Sequence, residues 1–211
     1  PLINRDICDM LRYMSGKFLA TKINTNGSLL TDNKIRALLH AKINTIVFSA
    51  DAASEKLYSN LRVNGNLTKV VSNIKRFNDI RKKEYPNNKS ITRVSGVYCN
   101  NNQDIDDMYN FWGDLVDQVA FVKYNPWVNV YSKTVNNIKY ACSDLWRRMF
   151  VWWDGRCNPC DVDYLSSLQI GNFDNQSISN IWNSAIYQKM RNNHIRGSRQ
   201  QLNVCSKCTV I

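Results

Sequence analysis

The chain has 211 residues, 44% of them hydrophobic, which is enough to bury a sizeable core and excludes both a disordered segment and a disulfide-stapled miniprotein. Its formal charge of +11 would suit a nucleic-acid binder. The cations are spread thinly, however: the densest run, Lys75, Arg76, Arg81, Lys82 and Lys83, sits on one expected helix, and no RNA-recognition, zinc-finger or helix-turn-helix signature accompanies it. Nucleic acid is therefore not the expected partner.

In chain order, Ile3, Ile7, Met10, Leu11 and Met14 recur at helical spacing up to Ser15-Gly16 and predict a helix. Phe18 to Asn24 reads as a strand closing on the turn Thr25-Asn26-Gly27, and Ile35, Leu38, Leu39 and Ile43 mark a helix with Thr31 as its N-cap. Asn44 to Ser49 is a short buried-strand pattern, followed by helices around Ser54 to Leu61 and through Val70, Ile74, Phe77 and Ile80, the latter closed near Pro86. Ile91 to Tyr98 is again strand-like, Ile105 to Leu115 helical, and Gln118 to Tyr124 a strand. Alternation of strand and helix with short connections is the mark of a parallel sheet, in an open doubly wound form or as a barrel.

In either form functional groups gather where strands end. Four ends carry polar residues: Thr25-Asn26-Gly27, Ser49 with Asp51, Ser95 to Asn100, and Tyr124 to Trp127. Hydroxyls, amides and a carboxylate there suit a polar small molecule, and the same residues also make ordinary turns and caps.

Beyond Trp127 the pattern changes to an aromatic strand (Met149 to Trp153), a hairpin signal at Asp154-Gly155, a short strand at Leu168 to Asn172 and a helix through Ile178, Ile181, Trp182, Ala185 and Ile186, capped by Ser177. Five of the seven cysteines, Cys142, Cys157, Cys160, Cys205 and Cys208, fall in this last third, which proposes domains at 1–139 and 140–211. Cys8 and Cys99 read as small buried hydrophobes, and His40 and His194 as surface or helix-end residues. Trp146, Trp152, Trp153 and Trp182 read as core or shielding residues.

No run approaches the roughly 18 consecutive apolar residues of a membrane span, and no secretory signal pattern occurs, so a cytoplasmic location without membrane contact is expected. In that setting clustered thiols point to metal or redox chemistry rather than disulfides. Two ligand sets fit the spacing. A zinc ribbon would use Cys157, Cys160, Cys205 and Cys208 and spare Cys142, making the chain a binding protein; an iron–sulfur site would use Cys142, Cys160, Cys205 and Cys208 and spare Cys157.

The order Cys142, twelve residues, Gly155, four residues, Cys160, then Cys205-Ser206-Lys207-Cys208 resembles the cysteine pattern of the SPASM domain, the auxiliary iron–sulfur module of radical S-adenosylmethionine enzymes. Trp153 to Cys160, Ile170-Gly171-Asn172 and Ile178 to Trp182 are similar to that domain's hairpin, strand turn and helix. Upstream, Thr25 to Leu30, Ser49-Ala50-Asp51 and Tyr58-x-x-Leu61-Arg62 look like the middle of the radical S-adenosylmethionine barrel, and Pro1-Leu2 resembles the end of a Gly-Glu-Pro cofactor motif.

The resemblance implies an α/β fold: a partial (β/α)6 barrel lacking its first strands, plus a small α+β SPASM module. It implies reductive cleavage of S-adenosylmethionine at a catalytic 4Fe–4S cluster, giving a 5′-deoxyadenosyl radical that abstracts a substrate hydrogen. Cofactor contacts fall to Thr25, Asn26, Ser49, Asp51 and Arg62, and ligation of one auxiliary 4Fe–4S cluster, or parts of two, to Cys142, Cys160, Cys205 and Cys208. The implied partners are a peptide, protein or small-molecule substrate and an electron donor such as a flavodoxin or ferredoxin. No Cys-x-x-x-Cys-x-x-Cys triad occurs in these residues and no carboxylate is singled out as a base. The expectation is of a fragment, cut upstream of its catalytic cluster and inactive alone.

Overall fold

The computed structural model describes residues 1–99, 102–124 and 129–210. They form two compact units, Pro1–Tyr124 and Asn125–Ile211.

The first unit carries α1 (Ile7–Met14), β1 (Lys22–Thr25), α2 (Asp32–His40), β2 (Thr45–Ser49), α3 (Glu55–Leu61), α4 (Leu67–Glu84), β3 (Ile91–Tyr98), α5 (Ile105–Gly113) and β4 (Gln118–Lys123). The four strands lie side by side in chain order, every pair parallel, with Thr25 beside Phe48 and Ser49 beside Ser95. Helix α4 shows why the helices cover the sheet. Val70, Ile74, Phe77 and Ile80 recur on one face and are all buried, the Asn66 side chain accepts the Lys69 N–H at 2.7 Å to cap the start, and the helix stops two residues before Pro86. Its buried face meets Ile35, Leu38 and Leu39 of α2 and Phe48 of β2, with the Phe48 and Phe77 rings edge to face at 6.4 Å.

One sheet face is buried under this layer through Ile23, Thr25, Ile46, Phe48, Thr92 and Val94. Residues of the other face are more open: Lys22 and Asn24 are exposed, Ser49, Arg93 and Ser95 half-buried, Val122 exposed, and Val47 alone of this set is buried. That one-sided covering departs from a doubly wound sheet, whose strands are buried on both faces.

Two elements begin later than their sequence patterns suggest. Helix α1 starts at Ile7 rather than Ile3, because the Asn4 side chain takes the Asp6 N–H at 2.8 Å in a local turn and Ile3 is left exposed. Strand β1 starts at Lys22 rather than Phe18, with Thr21 pinned by the Asn44 side chain at 2.7 Å and both Phe18 and Leu19 in solvent.

The second unit carries α6 (Asn129–Ser132), α7 (Asp144–Arg147), β5 (Phe150–Val151), β6 (Arg156–Asn158), β7 (Gly171–Asn172), α8 (Ile178–Trp182), α9 (Ala185–Ile195), a 3-10 turn at Arg199–Gln201 and α10 (Asn203–Lys207). Strands β5, β6 and β7 form an antiparallel sheet with β6 central. Gly155 turns the β5–β6 hairpin at φ +79°, where a Cβ would press on the Asn172 carboxamide at 2.8 Å. The helix expected through Ile186 is two helices, since Ser184 leaves the helical path and its hydroxyl accepts the Tyr187 N–H to cap α9.

A separate core joins Leu145, Cys157, Leu168, Ile170, Ile181, Tyr187, Met190 and Val204. Asp163, fully buried, organises the loop after β6 by accepting from the Ser167 and Leu168 N–H groups and the Tyr131 hydroxyl. Residues ahead of position 140 belong to this unit as well: Val130 is in its core, and the Asn136 N–H and side-chain amide donate to Ser206 and Cys208 carbonyls at 2.9 and 3.0 Å.

Candidate functional site

The C-terminal ends of β1 and β2 place the first set of predicted residues. Thr25 points into the helix-covered core, 5% exposed, and its hydroxyl accepts the Gly27 N–H at 3.1 Å. Asn26 is exposed, its side-chain oxygen accepting from the Ser28 N–H and hydroxyl. Ser49 is half-buried on the open face, beside Ser95. Asp51 and Arg62 are brought together: the carboxylate accepts the Val97 N–H at 2.8 Å and meets the Arg62 guanidinium at 2.6 Å, while the Arg62 Nε is buried without a partner among the described residues. The Gln103 amide clamps the same segment by donating to the Asp51 and Val97 carbonyls.

This clamp is possible because position 96 is glycine. A Cβ there would sit 1.9 Å from the Ala50 carbonyl oxygen, so only a bare backbone lets residues 50–52 run against β3. Trp112 holds the far side, its indole N–H donating to the Ala52 carbonyl at 3.1 Å. Of the later strand ends, Ser95 to Cys99 are placed, with Cys99 exposed rather than buried; Asn100 and Asn125 to Trp127 lie outside the described residues. A cavity of about 560 Å³ opens at the opposite rim, where β2 and β3 begin, lined by Leu39, His40, Asn44, Tyr85 and Ser90.

Cys142, Cys160, Cys205 and Cys208 line one cavity in the second unit, together with Leu145, Pro159, Val162, Val204 and Val210. Cys142 arrives just ahead of α7, Cys160 just after β6, and the last two from α10 and the residue that ends it. Cys157 stands apart on β6, fully buried in the apolar core, with its thiol directed to the Gly155 carbonyl. Cys142, Cys160 and Cys205 each have a neighbouring lining thiol among the causes that raise them. Burial pushes Cys205 up to about 12, reinforced by Cys160, Cys208 and Cys142, and pushes Cys160 up to about 12, reinforced by Cys208. Cys142 is raised chiefly by burial, which outweighs the lowering hydrogen bond from the Asp144 N–H, with the Cys208 thiol adding to the rise. The Cys157 thiol is also raised by burial, with none of the lining thiols among its causes.

No three or more His, Cys, Asp or Glu side chains among the described residues gather as for a single metal ion. The cavity is narrow, about 30 Å³, so its walls must spread around any larger group.

Three further residues line it, Asp144, His194 and Arg199. His194, in the last turn of α9, is 1% exposed rather than at the surface; its Nδ1 accepts the Cys142 N–H at 3.1 Å, which leaves the proton on Nε2, and Nε2 is buried with no partner among the described residues. Burial, helped by Arg199, pulls its pKa down to about 4, so the ring is neutral. Arg199, also 1% exposed, spreads its guanidinium over backbone carbonyls. The residues fit an iron–sulfur group: soft thiol donors, an apolar wall and an orphaned N–H donor of the kind that outer-shell histidines offer to cluster or ligand sulfur. Among the described residues no tryptophan lines the cavity, and Trp153 is 93% exposed at the hairpin tip.

Comparison with known proteins bears on both units. Residues 142–209 match the SPASM family, described as an iron-sulfur cluster-binding domain. Among solved structures, Streptococcus suis SuiB bound to precursor peptide SuiA superposes with a TM-score of 0.70 at 16% identity, covering 90% of this chain and 54% of SuiB. The protein anSMEcpe with bound AdoMet gives 0.61 at 13% identity, covering 97% and 68% of the two chains, and BtrN in complex with AdoMet and 2-DOIA gives 0.56 at 15%, covering 100% and 69%. The chain spans about half the length of SuiB. No curated protein matches it in sequence. Residues 142–209 are an SPASM domain. The α/β fold, with its parallel sheet, resembles that of these solved structures.

Proposed function

We propose that this chain forms the cofactor-cradling strands and the auxiliary-cluster module of a radical S-adenosylmethionine enzyme. The observation that carries the reading is the convergence of Cys142, Cys160, Cys205 and Cys208 on one cavity inside the SPASM domain. In this reading those four thiolates hold an auxiliary 4Fe–4S cluster and Cys157 is a packing residue. Leu145, Val162, Val204 and Val210 keep water away, and His194 Nε2 donates toward sulfur.

The SPASM module proper starts at residue 140, with Val130 and Asn136 packed into the same compact unit ahead of it, and the parallel sheet is part of a (β/α)6 barrel whose open face is the interior. Asn26 and Ser49, at the ends of adjacent strands, offer hydrogen bonds to the methionine part and ribose of S-adenosylmethionine. Thr25 and Asp51 act largely through shape: the hydroxyl fixes the turn at Gly27, and the carboxylate anchors the 50–52 segment to β3 while orienting Arg62. In such enzymes a catalytic cluster reductively cleaves the cofactor to a 5′-deoxyadenosyl radical that takes a hydrogen from substrate. With no Cys-x-x-x-Cys-x-x-Cys triad in these residues, that cluster is supplied from outside them and the chain alone does not turn over.

A peptide or protein is the substrate class we favour, supported by the likeness to SuiB, which was solved with its precursor peptide; a flavodoxin or ferredoxin supplies electrons, and the setting is the cytoplasm. No helix of the described residues is long and apolar enough to cross a membrane.

Anaerobic reconstitution of the 211-residue chain with iron and sulfide tests the cluster. Brown protein holding both elements is expected, with the cluster lost in Cys160→Ser and kept in Cys157→Ser. A colourless protein that takes only zinc, and loses it in Cys157→Ser, would establish the zinc-ribbon reading instead.

A further inference from the structure

Arg199 is a buried cation, 1% exposed, that no anion among the described residues pairs with. Its Nε donates to the Cys205 carbonyl at 3.3 Å, one terminal nitrogen to Tyr140 and Val210 carbonyls at 3.2 Å, and the other to Cys208 and Val210 carbonyls at 3.1 and 3.2 Å. Carbonyl dipoles satisfy the hydrogen bonds of a guanidinium but do not cancel its charge, and an uncompensated buried charge costs several kcal/mol. Asp144, the carboxylate among the lining residues, is taken by Arg148 at 2.7 Å and Arg147 at 3.5 Å. What Arg199 does face is the cavity it lines with four thiols.

We propose that Arg199 is the built-in counter-charge of this site, and that its fixed positive charge raises the reduction potential of the cluster held there. The inference rests on the cluster assignment made above. An oxidised 4Fe–4S cluster with four thiolates is already anionic, and reduction adds one electron. A cation buried beside it in low dielectric therefore stabilises the reduced form more than the oxidised one. The same guanidinium binds the backbone ahead of Cys142 and at both Cys205 and Cys208, so the charge is held in register with the thiols from both segments.

The test is an EPR-monitored redox titration of the reconstituted 211-residue chain, with iron and sulfide content measured on each sample. In Arg199→Gln the ratio of reduced to oxidised cluster at a fixed applied potential should fall at least tenfold, a downward shift of about 59 mV for one electron. Arg199→Lys, which keeps the charge but breaks most of the carbonyl bonds, should hold the cluster with a ratio within threefold of the parent. An Arg199→Gln protein that keeps its cluster and its potential overturns the proposal. If Arg199→Gln loses the cluster, Arg199→Lys decides: retention with the parental potential supports a role for charge, and loss in both variants shows a backbone staple and overturns it. Failure of the parent chain to take up iron and sulfide is a different result, and it removes the cluster assignment itself.

Discussion

Asp51 illustrates a residue whose type is legible and whose structural partners are not. A carboxylate just past a strand end invites a ligand-binding reading, yet its oxygens are spent on the Val97 N–H and the Arg62 guanidinium. Both side chains are largely shielded, about a fifth to a quarter exposed, so the contact is stronger than a surface pair. Asp51→Ala should cost about 2 kcal/mol, read from the urea midpoint, because it strands the Arg62 charge and frees a backbone N–H. The Asp51→Asn variant keeps an acceptor for the Val97 N–H and should recover part of that loss; equal losses in both variants would assign the whole effect to the ion pair. Cys157 and Cys142 show the reverse case. Their spacing alone leaves either one as the spare thiol, and only the pairing of β6 with β5 and β7 shows Cys157 buried at the sheet centre. His194 is legible in principle, since it continues the buried α9 face of Tyr187, Met190 and Arg191 at helical spacing. Arg199 is not: its partners are carbonyls, which leave no trace in side-chain patterning.

At the scale of elements, helices and strands with regular apolar spacing are legible nearly to the residue. Strand β3 runs over Ile91–Tyr98 as its alternation predicts, and α4 buries its four expected residues. The departures lie where a short polar side chain competes for the backbone, at Asn4, Asn44 and Ser184. The close crossing of residues 50–52 over Gly96 carries its own expectation. Gly96→Ala should destabilise the chain by about 1–3 kcal/mol and loosen the Asp51 segment, seen as faster amide exchange at Val97; an unchanged midpoint and exchange rate would mean the crossing relaxes freely.

A second element-level test concerns Asp117, which ties the start of β4 to β3 and α4. Burial acts to raise its pKa, but the Arg81 guanidinium and the Thr92 N–H and hydroxyl outweigh that and hold it below the usual carboxylate range. The folded value being depressed, its contribution is present above the unfolded carboxylate value near pH 4 and is lost as pH falls through the lower, folded one. Asp117→Asn should therefore lower stability at pH 7 and flatten its decline below about pH 4. A decline as steep as in the parent would remove Asp117 from the acid response.

Across the whole molecule, the cations follow the same logic as the cores. Of the basic run on α4, Arg76 is paired with Asp32 at 2.6 Å and Arg81 with Asp117 at 2.8 Å, so two of its charges serve packing of the first unit. The two units have separate cores, and the second has several short elements around its thiols, so in the reading proposed above its order should depend on the bound cluster. Stripping iron with a chelator should raise hydrogen exchange across residues 142–209 and leave α4 and β3 protected; uniform loss of protection through the chain would show that the units do not unfold separately.

The bonds from Asn136 to Ser206 and Cys208 also have a consequence for synthesis. A ribosome delivers Asn136, Cys142 and Cys160 long before their partners, at a rate of about 5–20 residues per second. In the reading proposed above the four-thiol site is complete only once Cys208 has joined the other three, so Cys142 and Cys160 cannot hold a cluster until the last two thiols arrive.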